Sequence, residues 1–274
     1  MNTLSDILKN ASWPYWAISV SGSAVFLCLF LWRERKWKGK MRRQQEVRKS
    51  WRSLEMHAFQ AQLDPAFIFN SLSAIHNFIL TTSTDEASRH LMSFAKLMRL
   101  TIENSRREWI SLSAELEALE LYIELEQLRF GQKFSCEIKV MKDVNQEQTM
   151  LPPFIIQPYV RHAIYNRLLM RQQPTGGYLR IEIGRTMSHI YIRLEDNGTH
   201  RGVSLTPEPG NEGANIAAER IQLMNVRYDT HAEITTRHLY DPQRRVSGTY
   251  TVITLPDTSL QPPAGEEKIL AGAE

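Results

Sequence analysis

A membrane-anchored α plus α/β protein is the architecture that this 274-residue sequence predicts, and three observations carry the prediction. An uncharged apolar run fills residues 13–32, an apolar seam with alternating spacings of four and three follows it, and strand-type alternation sets in at Phe134. The expected order is a short extracytoplasmic N-terminus (1–12), one N-terminal transmembrane helix (13–32), a basic juxtamembrane segment (33–52), a helical stalk (53–130), an α/β-sandwich domain (131–256) and a disordered tail (257–274).

The twenty residues from Trp13 to Trp32 carry no formal charge. A helix of that length rises roughly 30 Å, about the thickness of a bilayer core. Trp13, Tyr15 and Trp16 stand at one end of the run and Trp32 and Trp37 at the other, where aromatic side chains favour the membrane interface. A cleaved signal peptide carries its positive charge before the apolar run, whereas here the charge follows it. Between Arg33 and Arg52 ten Lys and Arg oppose Glu34 and Glu46, a local charge of +8 that leaves −5 for the rest of a chain whose total is +3. The basic segment is therefore expected on the cytoplasmic side, against anionic membrane lipid. The acidic balance elsewhere argues against a nucleic-acid partner. Cys28 and Cys136 supply neither a disulfide framework nor a thiolate metal site.

The seam runs through Val47, Trp51, Leu54, Ala58, Ala61, Pro65, Ile68, Leu72, Ile75 and Ile79. Such heptad spacing suits either a single amphipathic helix or a parallel two-stranded stalk, and continuity with the membrane helix favours the stalk. Pro65 lies inside the run and is expected to kink or open the helix. Ser83 with Glu86 forms a capping-box pattern ahead of a second helix, whose predicted apolar face is Leu91, Phe94, Ala95, Met98 and Ile102. A third helix begins at Leu112, with Leu116, Leu119 and Ile123 on one side. The surrounding Glu115, Glu117, Glu120, Glu124 and Glu126 are expected to form a solvated face.

From Phe134 the pattern is a strand to Val140, a helix opened by Pro152-Pro153, alternation at Ile181 and Ile183, and alternation again at Ile190, Ile192 and Leu194 that ends in Asp196-Asn197-Gly198. A loop to Gly213, a helix over Ala214–Tyr228 and a last strand from Thr249 to Leu255 complete the domain. A strand ending in Asp-Asn-Gly is by itself no more than a turn.

Taken in order, several short motifs resemble one family. Gln62-Leu63-Asp64-Pro65-Ala66-Phe67-Ile68-Phe69-Asn70-Ser71-Leu72 matches a pattern Q-x-x-P-H-F-I/L-F-N-x-L, and Phe94-Ala95-Lys96-Leu97-Met98-Arg99 follows it. Arg129-Phe130, Leu151-Pro152-Pro153 with Gln157-Pro158, Asp196-Asn197-Gly198, Gly213 with Glu219-Arg220-Ile221, and Gly248-Thr249 complete the set. Together they resemble the LytS-type sensor histidine kinases, in a short form common in Bacteroidetes, over about residues 54–256. The resemblance implies a Bergerat (GHKL-type) ATPase-like domain beside a helical dimerisation and phosphoacceptor region. It also implies a single-pass location in the bacterial inner membrane with the main domain cytoplasmic. The family passes the γ-phosphate of ATP to a stalk histidine and on to a response-regulator aspartate, which needs a nucleophilic imidazole, a docked nucleotide and a screening metal.

This sequence departs from that pattern. The phosphoacceptor histidine falls on Ala66, whose methyl group has no lone pair to attack phosphorus. Neither His57 nor His76 takes its place along the helix. The family's Glu-Asn pair aligns with Arg161-His162 and its later His-Gly with Asn166-Arg167. Mg²⁺ prefers oxygen ligands, so an imidazole at 162 and a cation at 161 disfavour it. Asp196, implied acceptor of the adenine amino group, is kept with Gly198 and Gly213, while a further glycine of the box is His200. The implied nucleotide-binding set is thus Asp196, Gly198, Gly213, Arg161, His162 and Asn166, with no metal ligand. Arg161, with Arg167, is a candidate to neutralise phosphates without metal.

The expectation is a degenerate kinase homologue acting in a phosphorelay by dimerising with itself or a related kinase, or by binding a response regulator. The alternative is an active kinase that phosphorylates a partner's histidine in trans.

Overall fold

The computed structural model describes residues 33, 53, 65–81, 84–173, 175–199, 212–228, 230–244 and 246–258. The expected membrane helix over 13–32, nearly all of the basic segment, the motif residues Gln62 to Asp64, the cap at Ser83, His200 and the tail beyond 258 lie outside them. Among the described residues no helix is long and apolar enough to cross a membrane. The chain divides into two units, Met1–Ser50 and Trp51–Glu274.

The second unit opens with three helices: α1 (Pro65–Thr81), α2 (Thr84–Ser105) and α3 (Leu112–Phe130). Asp85 and Glu86 sit in the first turn of α2, where negative charge meets the positive end of the helix dipole. Ser111 caps α3: its backbone is extended and its hydroxyl accepts the Ala114 N–H at 3.2 Å. Gly131, at φ +61°, ends α3 and returns its own N–H to the Gln127 carbonyl.

The helices turn inward only part of the faces the apolar pattern predicts: Ile68, Phe94 and Met98 pack against the core, half-buried. α1 buries Phe67, Ser71 and Ile75, with Phe67 packed on Tyr122 of α3 at 5.2 Å between ring centroids. Of the seam residues Ile75 enters this core, while Leu72 and Ile79 stay 40% and 49% exposed. α2 buries Ala87, Leu97, Thr101 and Asn104 and leaves Leu91, Ala95 and Ile102 outside. α1 carries apolar residues on several sides, so the neighbours α3 supplies decide which of them is covered.

The acidic residues of α3 also split. Glu117 pairs with Lys96 at 2.6 Å in solvent, as expected, but Glu115 and Glu126 are buried.

The α/β part is a five-stranded sheet of order β2-β4-β5-β7-β6, in which β2 (Phe134–Val140) runs parallel to β4 (Gly177–Arg185). The remaining pairs, among β4, β5 (His189–Asp196), β7 (Val246–Pro256) and β6 (Glu233–Tyr240), are antiparallel. Leu179, Ile181 and Ile183 of β4, Ile190, Ile192 and Leu194 of β5, and Ile253 and Leu255 of β7 point to one face. There they meet Val160, Ala163 and Ile164 of α4 (Gln157–Ala163, extended by Ile164–Leu168) and Ala217, Ile221 and Met224 of α5 (Glu212–Tyr228). Tyr178, Arg180, Tyr191, Arg193 and Tyr250 alternate onto the other face, as a half-buried sheet requires. A small ladder pairs β1 (Ile110–Ser111) with β3 (Met150–Leu151) and ties the start of α3 to this part of the unit.

Asp257 and Thr258, assigned to the tail by the sequence pattern, are anchored instead. Asp257 pairs with Arg185, and Thr258 exchanges hydrogen bonds with both backbone groups of Met150.

Candidate functional site

α4 starts with Pro158 in its first turn and then widens into a π-helical turn over Ile164–Leu168, closed by the Leu169 N–H on the Ile164 carbonyl at 2.9 Å. Such turns insert one residue into a helix and re-aim the side chains that follow. Here Ile164, Arg167 and Leu168 all point inward.

Arg167 is the residue around which the site closes. Its Nη2 donates to Oδ2 of Asp196 at 2.8 Å, with the two side chains 6% and 1% exposed. Its Nη1 lies 3.0 Å from Nδ1 of His162; a guanidinium has only donors, so the imidazole nitrogen accepts. The other oxygen of Asp196 accepts the Gly198 N–H at 2.9 Å. A Cβ on Gly198 would lie 2.4 Å from Cβ and 2.6 Å from the backbone carbon of Arg167, so only glycine lets the strand end approach the π turn.

Asp196 is the last residue of β5, flanked in register by Leu179 of β4 and Thr249 of β7. Gly248 lets β7 come this close, since a Cβ there would lie 2.1 Å from the Asp196 carbonyl oxygen. The Thr249 hydroxyl is buried beside Asp196 and meets no hydrogen-bond partner among the described residues. The Asn197 side chain is committed to the turn, bonding the Tyr178 N–H and the Gly176 carbonyl.

His162, Arg167, Asp196 and Gly198 therefore meet, whereas the other sequence candidates do not join them. Arg161 lies beside α3, its guanidinium 5.8 Å from the Tyr165 ring and close enough to Glu126 to favour that carboxylate's ionised form. Asn166 is half-buried in the π turn. Gly213 lies in the first turn of α5, where an added Cβ would make ordinary contact with Pro158. For Arg167 to neutralise phosphate, the pair with Asp196 would first have to break. Ala66 is exposed on α1.

Two carboxylates expected on a solvated face are instead buried next to the elements that carry the site. Glu115 accepts the N–H groups of Phe154, Ile155 and Ile156 at 2.9, 3.0 and 3.1 Å. Burial raises its pKa against the lowering effect of those bonds and of Arg220. Phe154 is held at φ +60°, and Arg220 of α5 donates to the neighbouring Pro153 carbonyl. Glu126 accepts the Tyr165 hydroxyl at 2.9 Å, and burial raises its pKa as well. No local signal distinguishes these two glutamates from their exposed neighbours, because their partners lie about forty positions away.

An adenine nucleotide with Mg²⁺ is the ligand that the sequence resemblance implies, and these residues do not fit it as they stand. Both Asp196 oxygens are engaged, and the Nδ1 lone pair of His162 is directed at a guanidinium instead of at a metal.

Comparison with known proteins gives three findings. The histidine kinase family model matches residues 54–134. The sensor histidine kinase/phosphatase LytS of Staphylococcus aureus is 28% identical over 178 residues, which cover 63% of this chain and 30% of LytS. The chain thus spans about a third of the length of the curated relatives it matches. Among solved structures, the catalytic domain of histidine kinase ThkA aligns at 12% identity and TM-score 0.39 over 54% of this chain and 94% of its own. The Acinetobacter baumannii histidine kinase AdeS aligns at 13% identity and TM-score 0.39 over 70% of this chain and 96% of its own.

Proposed function

From the premise that this chain is a LytS-type histidine kinase homologue, we propose that it serves two-component signalling as a membrane-bound pseudokinase, signalling through assembly instead of through phosphate on its own stalk. The observation that carries this is the methyl group of Ala66, exposed on α1 where the family motif has its imidazole. Phosphoryl transfer to a side chain requires a nucleophile, and none stands at this position.

The helical surface supports assembly. Leu72, Ile79, Leu91, Met92 and Ile102 are exposed, and Met92, Ala95, Lys96, Arg99 and Leu121 line a groove of about 490 Å³ between α2 and α3. Apolar surface of this kind marks contacts with other chains. A second copy, a related kinase and a response regulator are the partners this function calls for. The apolar run at 13–32, with its basic flank, would place the assembly at the inner membrane with the GHKL-type α/β domain in the cytoplasm.

The test is a phosphorylation assay on the full chain with radiolabelled ATP and Mg²⁺, alone and with a LytS-type partner kinase whose own catalysis is blocked. No acid-labile phosphate is expected on either protein. Ala66→His restores a nucleophile and is still expected to remain unlabelled, which would place the second defect in the nucleotide site. Phosphate on the partner's histidine would sink the pseudokinase and establish an active kinase working in trans.

A further inference from the structure

We propose that Arg167 is a built-in plug of the base subsite: its guanidinium stands where the amino edge of a purine would stand, and it closes the domain to adenine nucleotides. The proposal deepens the pseudokinase function and rests on the GHKL-type reading of the α/β domain.

Three observations converge on this side chain. The frame around Asp196 is intact, with Gly198 and Gly248 both required by close backbone approach and the Thr249 hydroxyl buried beside the carboxylate without a protein partner among the described residues. The π turn of α4 carries Arg167 into that frame, where its Cβ and backbone fill the space against Gly198. The guanidinium then binds Asp196 at 2.8 Å through the kind of N–H donor that an exocyclic amino group would offer. His162 accepts from the same guanidinium at 3.0 Å and fixes its plane.

The exchange is one-sided in energy. A neutral base offers Asp196 a neutral donor, while Arg167 offers a permanent charge, so displacing it would separate two buried groups of opposite charge. An ordinary structural ion pair would have no need of the buried Thr249 hydroxyl beside it.

The experiment is calorimetric titration of the full chain with ATP, adenosine and inorganic tripolyphosphate in EDTA. The wild type is expected to show no saturable adenosine binding up to about 1 mM. Arg167→Ala is expected to bind ATP and adenosine at least about tenfold more tightly than the wild type, and adding Asp196→Asn is expected to abolish that gain. Tripolyphosphate affinity should be unchanged by either substitution. Arg167→Gln, which keeps a neutral donor near Asp196, serves as the second variant should the alanine form not fold, and a smaller gain is expected of it.

Micromolar adenosine binding by the wild type would overturn the plug whatever the variants do, and so would folded Arg167 variants that gain no affinity. Nucleotide binding without phosphoryl transfer would leave the pseudokinase standing, whereas labelled phosphate on a partner would overturn both.

Discussion

Glu115 and Asp196 are both almost fully buried carboxylates, 3% and 1% exposed, and they are satisfied in opposite ways. Glu115 is met by three consecutive backbone N–H groups of the turn at 154–156, one of them on Phe154 in a left-handed conformation. Asp196 is met by the Gly198 N–H and by the Arg167 side chain. Backbone donors cannot leave without unfolding the turn, so Glu115 is part of the architecture. A guanidinium on a π turn is contributed by one side chain, so the charge facing Asp196 can be changed by a single substitution without opening a turn.

The comparison can be broken most sharply at Arg167. Arg167→Ala removes the cation that faces the buried Asp196 and should cost about 3–5 kcal/mol in urea denaturation. Adding Asp196→Asn should recover much of that loss. A double variant no more stable than the single one would mean that Arg167 contributes packing and not charge.

Glu115→Ala should cost roughly 2–4 kcal/mol, because three N–H groups lose their acceptor together and a strained turn loses its anchor. Glu115→Gln keeps a carbonyl acceptor and should cost about half as much. If alanine costs no more than glutamine, water has replaced the carboxylate and the architectural role fails.

The exposed helical face contrasts with both buried sites. Leu72→Lys should change folding stability by no more than about 0.5 kcal/mol. The same substitution should weaken self-association roughly tenfold or more, read by sedimentation or by cross-linking through Ile79→Cys. Unchanged association would remove α1 from the interface.

The smallest effect is on pH dependence. Burial raises the pKa of Glu126 in the folded state above its ordinary value of 4.5. The folded state then holds this proton more tightly than the unfolded chain does, so the contribution is full below that value and is lost as pH rises through the folded pKa. The denaturation midpoint should accordingly be higher near about pH 5 than near about pH 8, by a margin that Glu126→Gln narrows. An equal dependence in both proteins would assign the effect to other groups.

Much of the element order was legible because it rests on local signals. The Ser111 cap and the Gly131 stop bound α3, and alternation in β2, β4 and β5 sorts their two faces, since a period of two leaves little choice. Helical faces were less legible. Ile68, Leu72, Ile75 and Ile79 satisfy a heptad, and Ile68 and Ile75 do reach the core, but Leu72 and Ile79 stay exposed while Phe67 and Ser71 are buried, because Tyr122 of α3 is available to Phe67. The candidate site was half legible: Asp196, Gly198 and His162 meet as their motif order implies, whereas Arg161 turns to Tyr165. In the sequence Thr249 is legible only as a motif residue, and its place beside Asp196 follows from the β5–β7 register.

The sequence alone determined the family resemblance and the alanine within its first motif, since both depend only on which residue stands at a given place, and alanine at 66 has no lone pair in any conformation. Only the tertiary structure decided that Arg167 faces Asp196 and that Glu115 faces the turn at 154–156. The physical reason is burial. A charged side chain reads alike in sequence whether it is solvated or enclosed, and its partner, 29 or about 40 positions away, is chosen by how helix and sheet pack so that no buried charge is left alone.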